Sequence, residues 1–296
     1  MRKEFADQMS KLGKDKKHIF LTGDLGFMAL ENVRDIFGQR FINCGVSEQN
    51  MVGVAAGLAK SGFTVFVYSI APFIYARPYE HIRNDIVFSN LPVCLVGNGG
   101  GYGYGYMGPT HHALEDCAAL SALGMNVIVP VFDKDIAKVT NNISSPTYLR
   151  LGLETLPEGK DIPQYDSWRL LEKGNNGVVV GLGPIAGLIW ETILEIPVNM
   201  RPSLWAVSDF DLNGAPDEFY RQVGNQNLYI FEEHVVNGGL GMHISYMLNT
   251  RGINLLSLTH KYAFGYPKDT FGSQNYHRKQ SGLDKETVLK FFLEGK

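Results

Sequence analysis

Three stretches of the chain carry side chains that could do chemistry. In "FINCGVSEQN", positions 41–50, Glu48 stands between a strand-like apolar run and a helix-like run of Gly, Ala, Val and Leu. A carboxylate there is either a helix-start charge, stabilised by the dipole and the free N–H groups, or a group held for a ligand. In "FVYSIAPFIYARPYEHIRND" Phe73 and Tyr75 follow an apolar strand. They stand at the edge where parallel α/β sheets take ligands, and could pack a core or stack on a flat heteroaromatic ring. In "GNGGGYGYGYMGPTHHALED", positions 97–116, glycines alternate with Tyr102, Tyr104 and Tyr106 ahead of His111 and His112. Ordering such a loop costs entropy, and loops of this kind often carry function. An imidazole at the following helix start could hydrogen-bond a substrate hydroxyl or act as acid or base. No Cys, Asp or second His pair stands at ligand spacing, so no metal site is expected in this chain.

These residues are positioned by a repeating strand–helix rhythm. The spacing predicts a helix from Lys3 to Leu12, a buried strand in "HIFLTGDLG", a helix over 28–37 and a short strand in "RFINCGV". A helix capped by Ser47 and the strand "FTVFVYS" follow. The rhythm continues through a helix over 77–89, the strand "PVCLVGN", a helix over 114–123, the strand "NVIVPV", a helix after Asp133, and "PTYLRLG". Continuous apolar strands alternating with helices imply a mostly parallel sheet covered on both faces. We place a first domain at 1–153, a linker at 154–168 and a second α/β domain at 169–296. The linker has two prolines, several charges and little periodicity, and the second domain has strands in "GVVVGLG", "SLWAVSD", "NLYIFEEH" and "INLLSLT". "GLGPIAG" reads as a tight strand-to-helix turn, because Gly187 falls one position late for a dinucleotide fingerprint.

Composition excludes several classes. The 296 residues are 45% hydrophobic and 19% charged, with a net charge of −3 and a pI near 6.2. No basic stripe could track a nucleic-acid backbone. No window reaches the roughly 18 apolar residues of a membrane span, and the first twenty residues lack a signal peptide's apolar core. The chain is therefore expected in the cytoplasm, without nucleic-acid or membrane partners. Cys44, Cys94 and Cys117 are scattered among apolar residues and read as buried free thiols.

The run from "FINCGVSEQNMVGVAAGLAKSG" through the aromatics and "LPVCLVGNGG" to "GPTHHALEDCAAL" and "NVIVPVFD" resembles the pyrimidine-binding domain of the transketolase family of thiamin diphosphate enzymes. With "IFEEHVVNGGLG" and "SGLD" the resemblance covers nearly the whole chain. It implies that Glu48 contacts the N1′ nitrogen of the cofactor's aminopyrimidine. Shelter from water would let that carboxyl share a proton. It implies that Phe73 or Tyr75 stacks on the pyrimidine, that Asp24 of "LTGDLG" reaches the cofactor of a neighbouring subunit, and that His111 binds substrate oxygens near the reacting carbons. His112 is expected to contact substrate as well, and Arg150 of "TYLRLG" to grip a sugar phosphate with its planar fork.

The family's marker for the diphosphate and Mg²⁺ site, GDG followed by NN, has no counterpart here. The expectation is a split enzyme: an N-terminal-type partner subunit holds the diphosphate and Mg²⁺, and the two assemble as α₂β₂. The implied reaction moves a two-carbon ketol unit from a ketose to an aldose on thiamin diphosphate. One departure concerns the substrate. Met107 stands where common transketolases carry an acidic residue ahead of GPTH, and it accepts hydrogen bonds only weakly. Three other readings stay open: a deoxyxylulose-phosphate-synthase-like enzyme, a 2-oxoacid dehydrogenase β-like subunit, both using pyruvate, and a non-catalytic interaction subunit that has kept the fold.

Overall fold

The computed structural model describes residues 1–210 and 214–294, so residues 211–213 and the last two residues of the expected second domain lie outside it. The first sheet contains β1 (His18–Thr22), β2 (Phe41–Asn43), β3 (Thr64–Ile70), β4 (Val93–Asn98), β5 (Asn126–Ile128) and β6 (Thr147–Leu151). Their order is β2-β1-β3-β4-β6-β5, and every pairing is parallel. Alternate residues of β3 feed two different cores: Val65 and Val67 join one buried cluster, Phe66 and Tyr68 the other. Burial on both faces is why these strands read as unbroken apolar runs.

The second sheet holds β7 (Trp168–Glu172), β8 (Val178–Leu182), β9 (Ser203–Val207), β10 (Asn227–Glu232) and β11 (Ser257–Tyr262) in the order β11-β10-β8-β9-β7. Only β7 runs antiparallel, against β9. The fold is thus α/β, two mostly parallel sheets flanked by helices. The sequence reading missed β7 because its five residues directly follow the aperiodic stretch taken as linker. One apolar cluster passes from Val67 through Tyr148 to Trp168, Val180 and Ile230, so the two sheets share a core. Asp135 and Arg169, both almost fully buried, join the two halves by an ion pair of 2.6 Å. Among the described residues no helix is long and apolar enough to cross a membrane.

Two local expectations need correction where they bear on the site. The helix predicted over 77–89 is replaced by three short segments: Ala71–Ala76, Tyr79–His81 and a π-turn over Ile82–Val87. Pro72 lies at the start of the first, where its missing N–H is harmless, and Pro78 separates it from the second. Phe73 and Tyr75 therefore ride on a helix rather than on a loop beyond the strand. The helix Glu48–Lys60 begins after Ser47 as expected, yet the Ser47 hydroxyl makes no capping bond.

Candidate active site

The site grows from the C-terminal edge of the first sheet. After β2 the chain turns at Gly45, whose φ of 70° suits glycine, and enters the helix Glu48–Lys60. The Glu48 side chain is 3% exposed and points at the end of β3. Ser69 Oγ, itself buried, donates to Glu48 Oε1 at 3.1 Å, and Arg77 Nη1 donates to Oε2 at 2.7 Å. A buried carboxylate needs partners of this kind, because an unpaired one carries a large desolvation cost. The arginine is the exposed half of the pair: its side chain is 43% exposed.

Arg77 stands four residues after Phe73, one helical turn along. Its guanidinium lies over the Phe73 ring, 3.8 Å from the centroid. The other neighbour of that ring is His111, edge-on at 5.1 Å and 66°. His111 Nδ1 pairs with Thr110 Oγ1 at 2.9 Å, and among the described residues Nε2 has no hydrogen-bond partner. Burial first, and the Arg77 cation second, push the His111 pKa below its ordinary value. The imidazole is therefore neutral near pH 7, ready to accept a hydrogen bond or a proton.

Tyr75 plays a different part. It is buried, and its hydroxyl donates to Glu115 Oε1, while Tyr266 donates to the other oxygen of the same carboxylate at 2.5 Å. Burial and this carboxylate raise both phenol pKa values far above the ordinary range. Of the two rings expected at the pyrimidine, Phe73 is the partly exposed one beside Glu48's partner, and Tyr75 is buried and held by Glu115.

The glycine-tyrosine loop is braced by the second half of the molecule. A Cβ at Gly105 would stand 2.5 Å from the carbonyl oxygen of Gly272. Tyr102 N–H donates to Glu233 Oε1 at 2.6 Å, Arg278 pairs with Oε2 of the same carboxylate, and Tyr104 Oη accepts from Asn98 Nδ2 at 2.5 Å. This packing also encloses His112, expected at the substrate. His112 is fully buried, with Nε2 at 3.3 Å from Gly105 O and its ring edge-on to Tyr102 and His277 at 5.2 and 4.9 Å.

Arg150, expected to grip a sugar phosphate, lines a cavity with Gly100 and Glu233. Ser69, Gly97 and Arg150 lie in register across β3, β4 and β6, so Arg150 shares a sheet face with Glu48's partner. Its guanidinium, however, is engaged inward: Nε lies 3.0 Å from Asp116 Oδ2, and Nη2 donates to the carbonyls of Ala113 and Glu233 at 2.5 and 3.0 Å. At 5% exposure it is not a free cation for a phosphate. Asp24 is exposed, at a φ of 58°, and exchanges hydrogen bonds of 2.9 Å with the Asn43 side chain. It lines a shallow cavity with Thr22, Leu30 and Arg34. Ligand atoms of Asp116, Cys117 and His234 lie within 4.8 Å of one another, but Arg150 and Tyr148 already hold the Asp116 carboxylate.

Sequence reasoning missed Ser69, Arg77 and Glu115. Arg77 had a visible signal, the i, i+4 spacing from Phe73, whereas Ser69 and Glu115 are defined only by which strand end and which loop meet.

The match to a family model decides the affiliation. Residues 1–156 fit the transketolase pyrimidine-binding domain. The chain belongs to the transketolase family. Its similarity to family members runs end to end: it is 30% identical to an apulose-4-phosphate transketolase subunit of Phocaeicola vulgatus, covering 99% of this chain and 96% of that one. The solved structure of a split gene transketolase, described as an inactive β4 tetramer, superposes with a TM-score of 0.78 at 26% identity, over 99% of this chain and 97% of that one. Against the longer 1-deoxy-D-xylulose-5-phosphate synthase of Clostridium perfringens the identity is 24%, over 98% of this chain but 48% of that protein. This transketolase-family chain thus corresponds to a whole subunit in some relatives and to half of a longer chain in others.

Proposed function

We propose that the chain is one subunit of a two-component thiamin diphosphate-dependent transketolase, moving a two-carbon ketol unit from a ketose to an aldose. The observation that carries the reading is the Glu48 carboxylate, buried at the ligand-binding edge of a parallel sheet and covered only by a half-exposed arginine. Its surroundings fit an aminopyrimidine: a sheltered carboxyl to meet a ring nitrogen, and the Phe73 ring beside it to stack. Thiamin diphosphate supplies, when bound, a nucleophilic carbon and an electron sink for breaking a bond beside a carbonyl. Glu48 would hold the pyrimidine and share a proton at its N1′ nitrogen. The neutral His111, with Nε2 available, would hydrogen-bond a substrate oxygen. Asp24 would reach the cofactor of a neighbouring protomer.

A partner subunit of the N-terminal type would hold the diphosphate and Mg²⁺, in an α₂β₂ assembly working in the cytoplasm; the three free thiols agree with a reducing compartment. Met107 and Tyr106 are exposed beside the histidine loop and offer a thioether and a phenol, but no carboxylate, to a substrate hydroxyl. They support a specialised sugar rather than a common pentose phosphate. The test is calorimetric titration of thiamin diphosphate with Mg²⁺ into the chain alone and into the chain mixed with its N-terminal-type partner, followed by a screen of ketose phosphates against pyruvate. Tight binding only in the mixture and ketol transfer without pyruvate turnover are expected. Tight binding to the lone chain, or turnover of pyruvate alone, would overturn the reading.

A further inference from the structure

Glu48 and Phe73 are the two groups an aminopyrimidine would use, and one side chain already covers both. Arg77 donates to Glu48 Oε2 at 2.7 Å while its Cζ lies over the Phe73 ring, 3.8 Å from the ring centre. Like the pyrimidine, the guanidinium is flat, a hydrogen-bond partner for a carboxylate and a stacking partner for an aromatic face. We propose that Arg77 is a placeholder that occupies the pyrimidine seat of the free subunit and must leave it before the cofactor ring can enter. The proposal rests on the thiamin reading above and adds a residue that the reading does not need.

The physics of the free chain requires such a group. Ser69 satisfies only one oxygen of the buried Glu48 carboxylate, and without Arg77 the other would lie in a low-dielectric site without a partner. The pairing also opposes the incoming ring directly, since the guanidinium occupies a carboxylate oxygen that the ring nitrogen would approach. Arg77 can leave cheaply because its side chain is 43% exposed and can swing into water without stranding a buried cation. His111 lies on the same Phe73 ring, so a displaced guanidinium moves within a site already open to substrate.

If the closed arrangement outweighs the open one by about tenfold, the apparent affinity of the free site falls by about the same factor. The test compares wild type, Arg77→Gln and Arg77→Lys, each mixed with the N-terminal-type partner, by titration of thiamin diphosphate with Mg²⁺ and by stopped-flow association. Gln keeps a donor for Glu48 but loses charge and most of the stacking; Lys keeps the charge but not the plane. Arg77→Gln is expected to bind about tenfold tighter and associate faster, with Arg77→Lys in between. Thermal melting of each variant identifies any that fail to fold. In parallel, side-chain ¹⁵N signals of the wild-type chain should show the Arg77 guanidinium restrained when free and released on cofactor addition. Unchanged or weaker binding by a folded Arg77→Gln, or Arg77 signals that stay restrained with the cofactor bound, would overturn the placeholder and leave the thiamin reading standing. Failure of every form, wild type included, to bind thiamin diphosphate would overturn the thiamin reading, and the placeholder with it.

Discussion

Two arginines of the first half of the chain, Arg77 and Arg150, each pair with a buried carboxylate, and the difference between them separates what acts from what holds. Arg77 comes from a short helix, is half in solvent, and gives Glu48 a partner that another group can replace. Arg150 comes from strand β6, is enclosed, and ties Asp116 to backbone carbonyls of both halves of the molecule. Neither the charge pairing nor the buried carboxylate marks a site; the exposure of the cation does. An enclosed pair is expensive to open and so contributes to architecture, while a pair with one leg in water can exchange.

The hardest test of that contrast is Glu48→Gln. If the exchangeable pair is the working one, the variant should assemble with its partner and melt within about 1 kcal/mol of wild type in stability, because the amide oxygen can still accept from Arg77 while its NH₂ donates to the Ser69 hydroxyl. Turnover should fall by about 10²–10⁴, the range for losing a proton-sharing group. A single-turnover assay beside size-exclusion chromatography checks both halves of this expectation. Wild-type turnover would place the catalytic carboxylate elsewhere.

Arg150→Met makes the opposite statement. It leaves Asp116 with the Tyr148 hydroxyl alone and removes donors from the carbonyls of Ala113 and Glu233. Breaking a buried pair by removing one partner costs about 3–5 kcal/mol. Denaturant unfolding should show that loss, and the KM for a phosphorylated sugar should stay unchanged in the protein that remains folded. A raised KM with unaltered stability would restore Arg150 as a phosphate grip.

Between these lies the brace of the histidine loop. Gly105→Ala places a methyl against the Gly272 carbonyl, where backbone must move. The expected loss is about 1–3 kcal/mol, as for other overpacked contacts. Because the same loop leads to His111, KM should rise alongside the loss of stability, which neither Glu48→Gln nor Arg150→Met produces. Thermal melting and steady-state kinetics on one preparation separate the three patterns.

The sequence was legible where one segment is enough. Glu48 at a helix start, the apolar strands with their helices, and the glycine-rich loop before His111 all follow from local pattern, and the structure places them together at one sheet edge. It was not legible where two distant segments meet. Arg150 reads as a free cation in "TYLRLG" until Asp116 from another loop closes on it, and His112 looks equivalent to its neighbour until Tyr102 and His277 enclose it. Phe73 and Tyr75 differ by two positions on a short helix, so they face different sides, and only the tertiary partner Glu115 tells which ring is engaged. Arg77 lay within a segment already singled out, yet its role appears only with its reach to Glu48.

The smallest expected effect tests the electrostatic link inside the exchangeable region. His111 faces the Phe73 ring, Tyr104, Thr110 and the Arg77 cation, and its pKa lies below the ordinary value through burial first and Arg77 second. Removing the cation in Arg77→Gln takes away the second cause and leaves the first, so the His111 pKa should rise but stay under that of an exposed histidine. If His111 works as a neutral acceptor, activity is lost as pH falls through its pKa, and the acid limb of kcat/KM should therefore move to higher pH in the variant. The shift should be a fraction of a unit, since a half-exposed cation is strongly screened, and it should shrink further at high salt. A basic limb that moved to higher pH instead would mean that the protonated imidazole is the working form; no shift at low salt would detach the acid limb from His111 and leave Arg77 acting on Glu48 alone.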